Sequence, residues 1–99
     1  MRLGILGVEA IGHMAAKFAN HFGYEVTIFS ENAEEEKFLV ENGIKFESFV
    51  PLNTENVGKN ALKFDVVVVA AAIPKDVAKR SIDLPRRNGK LVFLTQSIN

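Results

Sequence analysis

A run of four valines, Val66 to Val69, is the feature of this 99-residue chain that most constrains its fold. A strand with one face in water alternates apolar and polar residues, whereas these valines place apolar side chains on both faces. Strands of this kind are typical of the centre of a parallel sheet that helices cover on both sides. Since the length suits one hydrophobic core, we expect a single α/β domain.

Segments with the pattern of strands alternate with segments of helical spacing along the chain. A capping pattern from Asn32 to Glu35 begins one helix, Pro74 begins another that ends near Leu84, and polar residues 52–63 predict a loop with one helical turn. This order implies a doubly wound parallel sheet of about five strands, in the order 3-2-1-4-5 and without a sixth strand. The predicted strands are Leu3–Leu6, Val26–Phe29, Phe46–Val50, Val66–Val69 and Leu91–Thr95.

The first predicted helix carries an apolar stripe of large residues. Met14, Phe18 and Phe22 recur at helical spacing, and we assign them to the hydrophobic core. His13 lies just past the turn that begins this helix, and we expect it to pack or to serve a helix terminus rather than to take part in catalysis.

The composition argues against several kinds of site and partner. The chain has no cysteine, so it forms no disulfide and holds no thiolate zinc site. Twelve basic residues balance twelve acidic ones, which leaves no basic excess for nonspecific binding of nucleic acids or membrane surfaces. The longest strongly apolar run, Val66 to Ile73, is too short to span a membrane, and the N-terminus lacks the form of a secretory signal. We therefore expect an intracellular protein, cytoplasmic by default.

A glycine-rich turn between the first strand and the first helix is the segment with recognisable chemistry. Its sequence, Gly7-Val8-Glu9-Ala10-Ile11-Gly12, has the first and third glycines of the dinucleotide-binding fingerprint G-x-G-x-x-G. The first glycine allows a tight turn, the third lets the helix pack close to the strand, and the helix N-terminus favours an anion. No catalytic or metal-binding residue is predicted. The predicted cofactor-binding residues are Gly7, Ala10, Ile11, Gly12 and Ser30.

Glu9 replaces the second glycine of the fingerprint, the one that lets the backbone approach the pyrophosphate of the cofactor. A side chain at this position obstructs the approach. Its carboxylate also repels phosphate, by about 4 kcal/mol for one charge pair at ~4 Å and an effective dielectric constant of ~20. We therefore expect cofactor binding to be weak.

The turn and its surroundings resemble the cofactor-binding domain of the zinc-type, medium-chain alcohol dehydrogenases, and most of all their cinnamyl-alcohol-dehydrogenase-like branch. The most specific part of the resemblance is Gly12-His13-Met14-Ala15, and it continues through Phe22–Ser30, Phe64–Val67 and Asn88–Leu94. It implies that residues 1–99 form one Rossmann-like dinucleotide-binding domain, truncated before a sixth strand. It also implies hydride transfer between NADP(H) and an alcohol or aldehyde, with a catalytic zinc held by Cys and His of a separate domain that this chain lacks.

The choice of cofactor depends on two neighbouring residues. By the resemblance, Ser30 favours the 2′-phosphate of NADP, whereas Glu31 can accept a hydrogen bond from the ribose 2′-hydroxyl of NAD. We favour NADP and keep NAD as the alternative. The chain also departs from the branch at Val69-Ala70-Ala71-Ala72, where polar residues are usual, and at Thr95, where glycine is usual.

Two functions remain open on the sequence. The chain is either the cofactor-binding half of an NADP(H)-dependent alcohol dehydrogenase-like oxidoreductase, without catalysis of its own, or a noncatalytic subunit for assembly that no longer binds nucleotide. The departures at Glu9, Val69, Ala70 and Thr95 favour the second function. So does the apolar edge strand Leu91–Leu94, because an unpaired edge invites a second copy or another protein.

Overall fold

The protein is a five-stranded parallel sheet with helices on both faces, as the computed structural model describes it for residues 1–7 and 10–94. The strands are β1 (Arg2–Leu6), β2 (Glu25–Ser30), β3 (Ser48–Pro51), β4 (Phe64–Val69) and β5 (Pro85–Phe93). The helices are α1 (Ala10–His21), α2 (Glu34–Glu41), α3 (Thr54–Lys59) and α4 (Lys75–Ser81). The strand order is β3-β2-β1-β4-β5, and every neighbouring pair is parallel. The predicted Rossmann-like architecture is therefore confirmed.

The valine run lies where the sequence predicts, in the interior of the sheet. Strand β4 pairs with β1 on one side and with β5 on the other, and Val67 and Val69 are completely buried. Two hydrophobic clusters fill the two faces. One contains Ala16 of α1 and Leu39 of α2, and the other contains residues of α3 and α4.

Two glycines set the distance between β1 and α1. Gly7 ends the strand with a φ of +86°, its N–H donates to the Phe29 carbonyl at 2.8 Å, and a Cβ there would lie 2.5 Å from the Cβ of Ala71. A Cβ on Gly12 would lie 2.6 Å from the Gly7 carbonyl oxygen. The tight turn and the close packing that the sequence assigns to the two glycines are confirmed.

The assignment of the Met14–Phe18–Phe22 stripe to the core is wrong. These side chains are 63%, 63% and 66% exposed. The buried side of α1 consists instead of small residues, Gly12, Ala16 and Ala19, that repeat with the same helical spacing. Because Gly12 brings the helix against the end of β1, the gap between helix and sheet admits a methyl group but not a phenyl ring.

Several element boundaries differ from the predicted ones. The polar segment 52–63 contains α3, which Asn53 caps by accepting a hydrogen bond from the Asn56 N–H at 2.8 Å. Strand β5 begins at Pro85 rather than Leu91, because the predicted turn at Asn88 is an irregularity inside the strand, with a φ of +67° and a shift in the register with β4. Thr95 lies outside the described residues.

Asp65 joins three strands at the end of the sheet opposite the glycine turn. Its carboxylate accepts a hydrogen bond from the Arg2 N–H of β1 at 2.7 Å and another from the Arg86 guanidinium of β5. The bond from the Arg2 backbone and the bond from Arg86 hold the pKa of Asp65 below its ordinary value of 3.8, against the opposing effect of desolvation. Asp65 therefore anchors β4 to both of its neighbouring strands.

Asp65→Asn is expected to lower the free energy of unfolding near neutral pH. Because the folded-state pKa is depressed, the carboxylate stabilises the fold above about pH 3.8, and this contribution is lost as pH falls further through the folded-state value. Urea unfolding of the original chain and of Asp65→Asn, each at neutral and at strongly acidic pH, measures the effect. Asp83→Asn, which changes an exposed carboxylate, is the control. A difference between Asp65→Asn and the original chain that does not shrink in acid would contradict the prediction.

Gly7→Ala is expected to lower the free energy of unfolding by about 3 kcal/mol, because the added methyl group meets Ala71 in a backbone conformation that side chains disfavour. Gly23→Ala is the matched control. Gly23 also has a positive φ, +77°, but nothing lies within 4 Å of its added Cβ, so its loss should be only about 1 kcal/mol. Denaturant titrations give both values, and equal losses would show that the close contact at Gly7 is unimportant.

Candidate functional site

A cleft of about 190 Å³ opens at the carboxyl ends of the strands. From β1 the chain continues through α1 to β2 and β3, which lie on one side of β1. Strands β4 and β5 lie on its other side. The cleft is therefore at the point where the strand order reverses. Open α/β sheets bind ligands at this point. The residues that line the cleft are Gly7, Ser30, Glu31, Asn32, Glu35, Leu52, Ala71, Ala72 and Ile73.

The predicted cofactor-binding residues fall into two groups around this cleft. Gly7 and Ser30 line it directly, at the ends of β1 and β2. Ala10, Ile11 and Gly12 form the first turn of α1, and of the side chains that the structure describes there, those of Ile11 and Gly12 are not among the lining residues of the cleft. Glu9 lies outside the described residues.

Ser30 is buried, and a local turn uses its hydroxyl group. The Ser30 Oγ accepts a hydrogen bond from the Asn32 N–H at 3.1 Å and donates one to the Asn32 carbonyl at 3.3 Å. The Asn32 Oδ1 in turn accepts from the Glu34 N–H at 3.0 Å. The N-cap of α2 is Ala33, so the capping box predicted from Asn32 to Glu35 is wrong.

Glu35 turns toward α1 instead of capping its own helix. Its Oε2 lies 3.0 Å from the Nε2 of His13, and both side chains are partly buried. The His13 ring stacks on Phe38, with the ring centroids 4.8 Å apart. His13 therefore links α1 to α2, which confirms its expected packing role, and this link holds the Glu35 carboxylate at the edge of the cleft.

The cleft combines an acidic rim with an apolar wall. Glu31 and Glu35 line it, and no Lys or Arg is among its lining residues in the described part of the chain. Ala71 and Ala72, two of the residues that replace polar ones in the family resemblance, form part of the wall. The sequence did not predict that Leu52 and Ile73 line the cleft. Each residue lies just beyond the end of a strand, and only the fold brings the two strand ends together.

Within residues 1–7 and 10–94, no group of three or more His, Asp or Glu side chains could hold a metal ion. No helix of the same residues has the length and apolar character needed to cross a membrane.

The known proteins with sequences similar to this chain include a dehydrogenase and a reductase. A probable cinnamyl alcohol dehydrogenase of Oryza sativa subsp. japonica is 32% identical over 95 residues, which cover 94% of this chain and 26% of that protein. An 18-hydroxynorfluorocurarine reductase of Strychnos nux-vomica is 32% identical over 94 residues, or 95% of this chain and 25% of the relative. The chain thus spans about a quarter of the length of these relatives.

A solved structure has the same fold. A cinnamyl alcohol dehydrogenase from Sorghum bicolor superposes with a TM-score of 0.77 and 22% identity, over 93% of this chain and 26% of that one. The predicted resemblance to alcohol dehydrogenases is confirmed as far as an alcohol dehydrogenase-like cofactor-binding domain, whereas the zinc-type branch and the truncation stay predictions. A family model described as "Alanine dehydrogenase/PNT, C-terminal domain" matches residues 2–83. The chain therefore belongs to the alanine dehydrogenase/PNT C-terminal domain family, as a nucleotide-binding Rossmann domain of the dehydrogenase type.

Proposed function

We propose that this chain is the cofactor-binding part of an alcohol dehydrogenase-like oxidoreductase and that it binds a pyridine nucleotide across the cleft. The observation that carries the proposal is the position of the cleft, at the strand-order reversal of a 3-2-1-4-5 sheet and beside the turn from Gly7 into α1. The volume of about 190 Å³ is below the roughly 300–1,000 Å³ of typical small-molecule pockets. The cleft would therefore hold only part of a dinucleotide, and the first turn of α1 would hold its diphosphate.

Two parts of the chain fit a pyridine nucleotide. The first turn of α1, Ala10 to Gly12, would hold the diphosphate through its free backbone N–H groups and the positive end of the helix dipole. Residues 30 and 31, at and after the end of β2, are the candidates for contact with the adenosine ribose.

The bound nucleotide would supply the hydride donor or acceptor for oxidation of an alcohol or reduction of an aldehyde. This chain contributes binding and orientation to that reaction, and we assign no catalytic residue in it. Without cysteine it cannot supply the thiolate ligands of the zinc that the resemblance implies, so such a zinc would belong to another domain. Hydride transfer is therefore proposed for a larger protein and not for residues 1–99 by themselves.

Glu9→Gly is expected to lower the dissociation constant for a pyridine nucleotide by about tenfold or more, because it removes both a side chain and a negative charge from the phosphate-binding turn. Isothermal titration calorimetry, or the fluorescence of the reduced cofactor, measures the affinity. Glu9→Gln separates the two effects, since it removes the charge and keeps the bulk. Tight binding by the unchanged chain, or no gain in Glu9→Gly, would contradict the proposed obstruction.

Exposed apolar residues at β5 support a second candidate function, a noncatalytic subunit for assembly. In the described part of the chain β5 pairs with β4 alone, and Val92, Phe93 and Leu94 are exposed. Phe93 and Ile82 also line an apolar groove of about 420 Å³ between α4 and β5. An exposed apolar edge strand is a template for pairing with a second copy or another protein.

Val92→Lys is expected to weaken self-association, because a charged residue on an edge strand opposes pairing with another strand. Sedimentation velocity over a range of protein concentrations measures the association. Val40→Lys is the matched control, since Val40 is an exposed valine on α2, away from the sheet edge. A monomer at every concentration, or equal weakening by both variants, would contradict association through β5.

A further inference from the structure

One flank of α1 carries a row of large apolar side chains that are exposed. Met14, Phe18 and Phe22 lie four residues apart and are each nearly two-thirds exposed, and the last two rings stack with their centroids 6.2 Å apart. His13 marks the opposite flank, because it contacts Glu35 of α2. At about 100° per residue, the middle of the row lies about 140° around the helix from His13. The row therefore faces away from α2.

The sheet has an uncovered strip in the direction of this row. Helices α1 and α2 lie on one face, with α1 over β1 and β2, and α3 and α4 lie on the other face. Within the described residues, no helix covers β4 and β5 on the α1 face. Val68 points to that face and Val92 is in register with it. Val92 and Leu94, two residues farther along, are 39% and 44% exposed.

Helix α1 and the strip beside it form an apolar step. Two strands at a spacing of about 4.8 Å make a strip about 10 Å wide, which is the diameter of a helix with its side chains. A second copy, rotated by 180° about an axis parallel to the strands, fits its own α1 over this strip and receives the first α1 in the same way. The exposed apolar residues of the step are Ile11, Met14, Phe18, Phe22, Val92 and Leu94.

The apolar area of the step is large enough for a stable dimer. At roughly 200 Å² for a fully exposed large side chain, the step exposes about 600 Å² in each copy. This is the upper end of what a monomer usually exposes as one apolar patch, about 300–600 Å². Two copies together bury about 1,200 Å², which is where the range of specific protein interfaces begins.

The charges of the chain favour a second copy as the occupant. The formal net charge is zero, so two copies do not repel each other at long range. In the two-fold arrangement, β5 of one copy passes above α1 of the other and has its edge toward α2. The exposed basic residues of β5 include Arg87 and Lys90, and the exposed acidic residues of α2 are Glu34, Glu36 and Glu41. Opposite charges therefore meet across the contact.

We propose that two copies of this chain form a two-fold symmetric dimer in which α1 of each copy packs over β4 and β5 of the other. The contact uses the face of the sheet. It therefore differs from pairing through the β5 edge, which the second candidate function invokes, and it does not depend on nucleotide binding.

Phe18→Lys is expected to raise the dissociation constant of the dimer at least about tenfold, because it places a charge among apolar side chains at the centre of the contact. Sedimentation velocity over a range of concentrations measures the constant. Leu62→Lys is the matched control, since Leu62 is 67% exposed but lies between α3 and β4, outside the step. Equal effects of the two variants would overturn the role of α1. Urea unfolding checks that both variants keep the fold.

Disulfide cross-linking tests the arrangement itself, because the chain has no cysteine of its own. In the proposed dimer, residue 18 of one copy faces the strand that carries residue 92 of the other. An oxidised mixture of Phe18→Cys and Val92→Cys is therefore expected to give mainly the mixed disulfide. Chains paired through the β5 edge would join Val92→Cys to itself. That product in excess, or an unchanged chain that stays monomeric at the highest concentration, would overturn the proposal.

Discussion

The close approach of α1 to the end of β1 is the constraint on which the rest of the structure depends. It requires Gly7 in a conformation with positive φ and Gly12 within contact of the Gly7 carbonyl, and neither position has room for a side chain. This contact fixes the start of α1 beside the cleft. It also decides which side of α1 faces the sheet, because only a surface of small side chains fits at that distance.

Opposing electrostatic effects meet at the cleft and at the glycine turn that leads to it, because the turn combines a helix N-terminus with the carboxylate of Glu9. A helix N-terminus attracts phosphate, whereas the rim formed by Glu31 and Glu35 repels it. A pyridine nucleotide carries both kinds of group, a diphosphate and a ribose that is either free or phosphorylated. The balance between the helix N-terminus and the carboxylates of Glu9, Glu31 and Glu35 therefore decides how strongly phosphate groups are attracted here.

The alternation of elements and the strand order could be predicted, because a strand buried on both faces, such as Val66–Val69, requires helices above and below it. The buried face of α1 was predicted wrongly. Two stripes of residues with the same period lie on that helix, and hydrophobicity favours the stripe with the larger side chains. The repeat of small residues, Gly12, Ala16 and Ala19, was the sequence signal for the side that is buried. Helical spacing alone does not choose between the two stripes, because the choice depends on the distance between helix and sheet.

The sequence by itself determined the parallel sheet, the glycine turn and the likeness to dehydrogenases, since these follow from local patterns of apolar residues and glycines. The tertiary structure decided the partners of the polar groups. It placed Glu35 on His13 instead of on its own helix end, and it closed the Ser30 hydroxyl into a turn with Asn32. Such pairings join groups on different elements or depend on the path of a loop, so their distances are set only when the helices pack on the sheet.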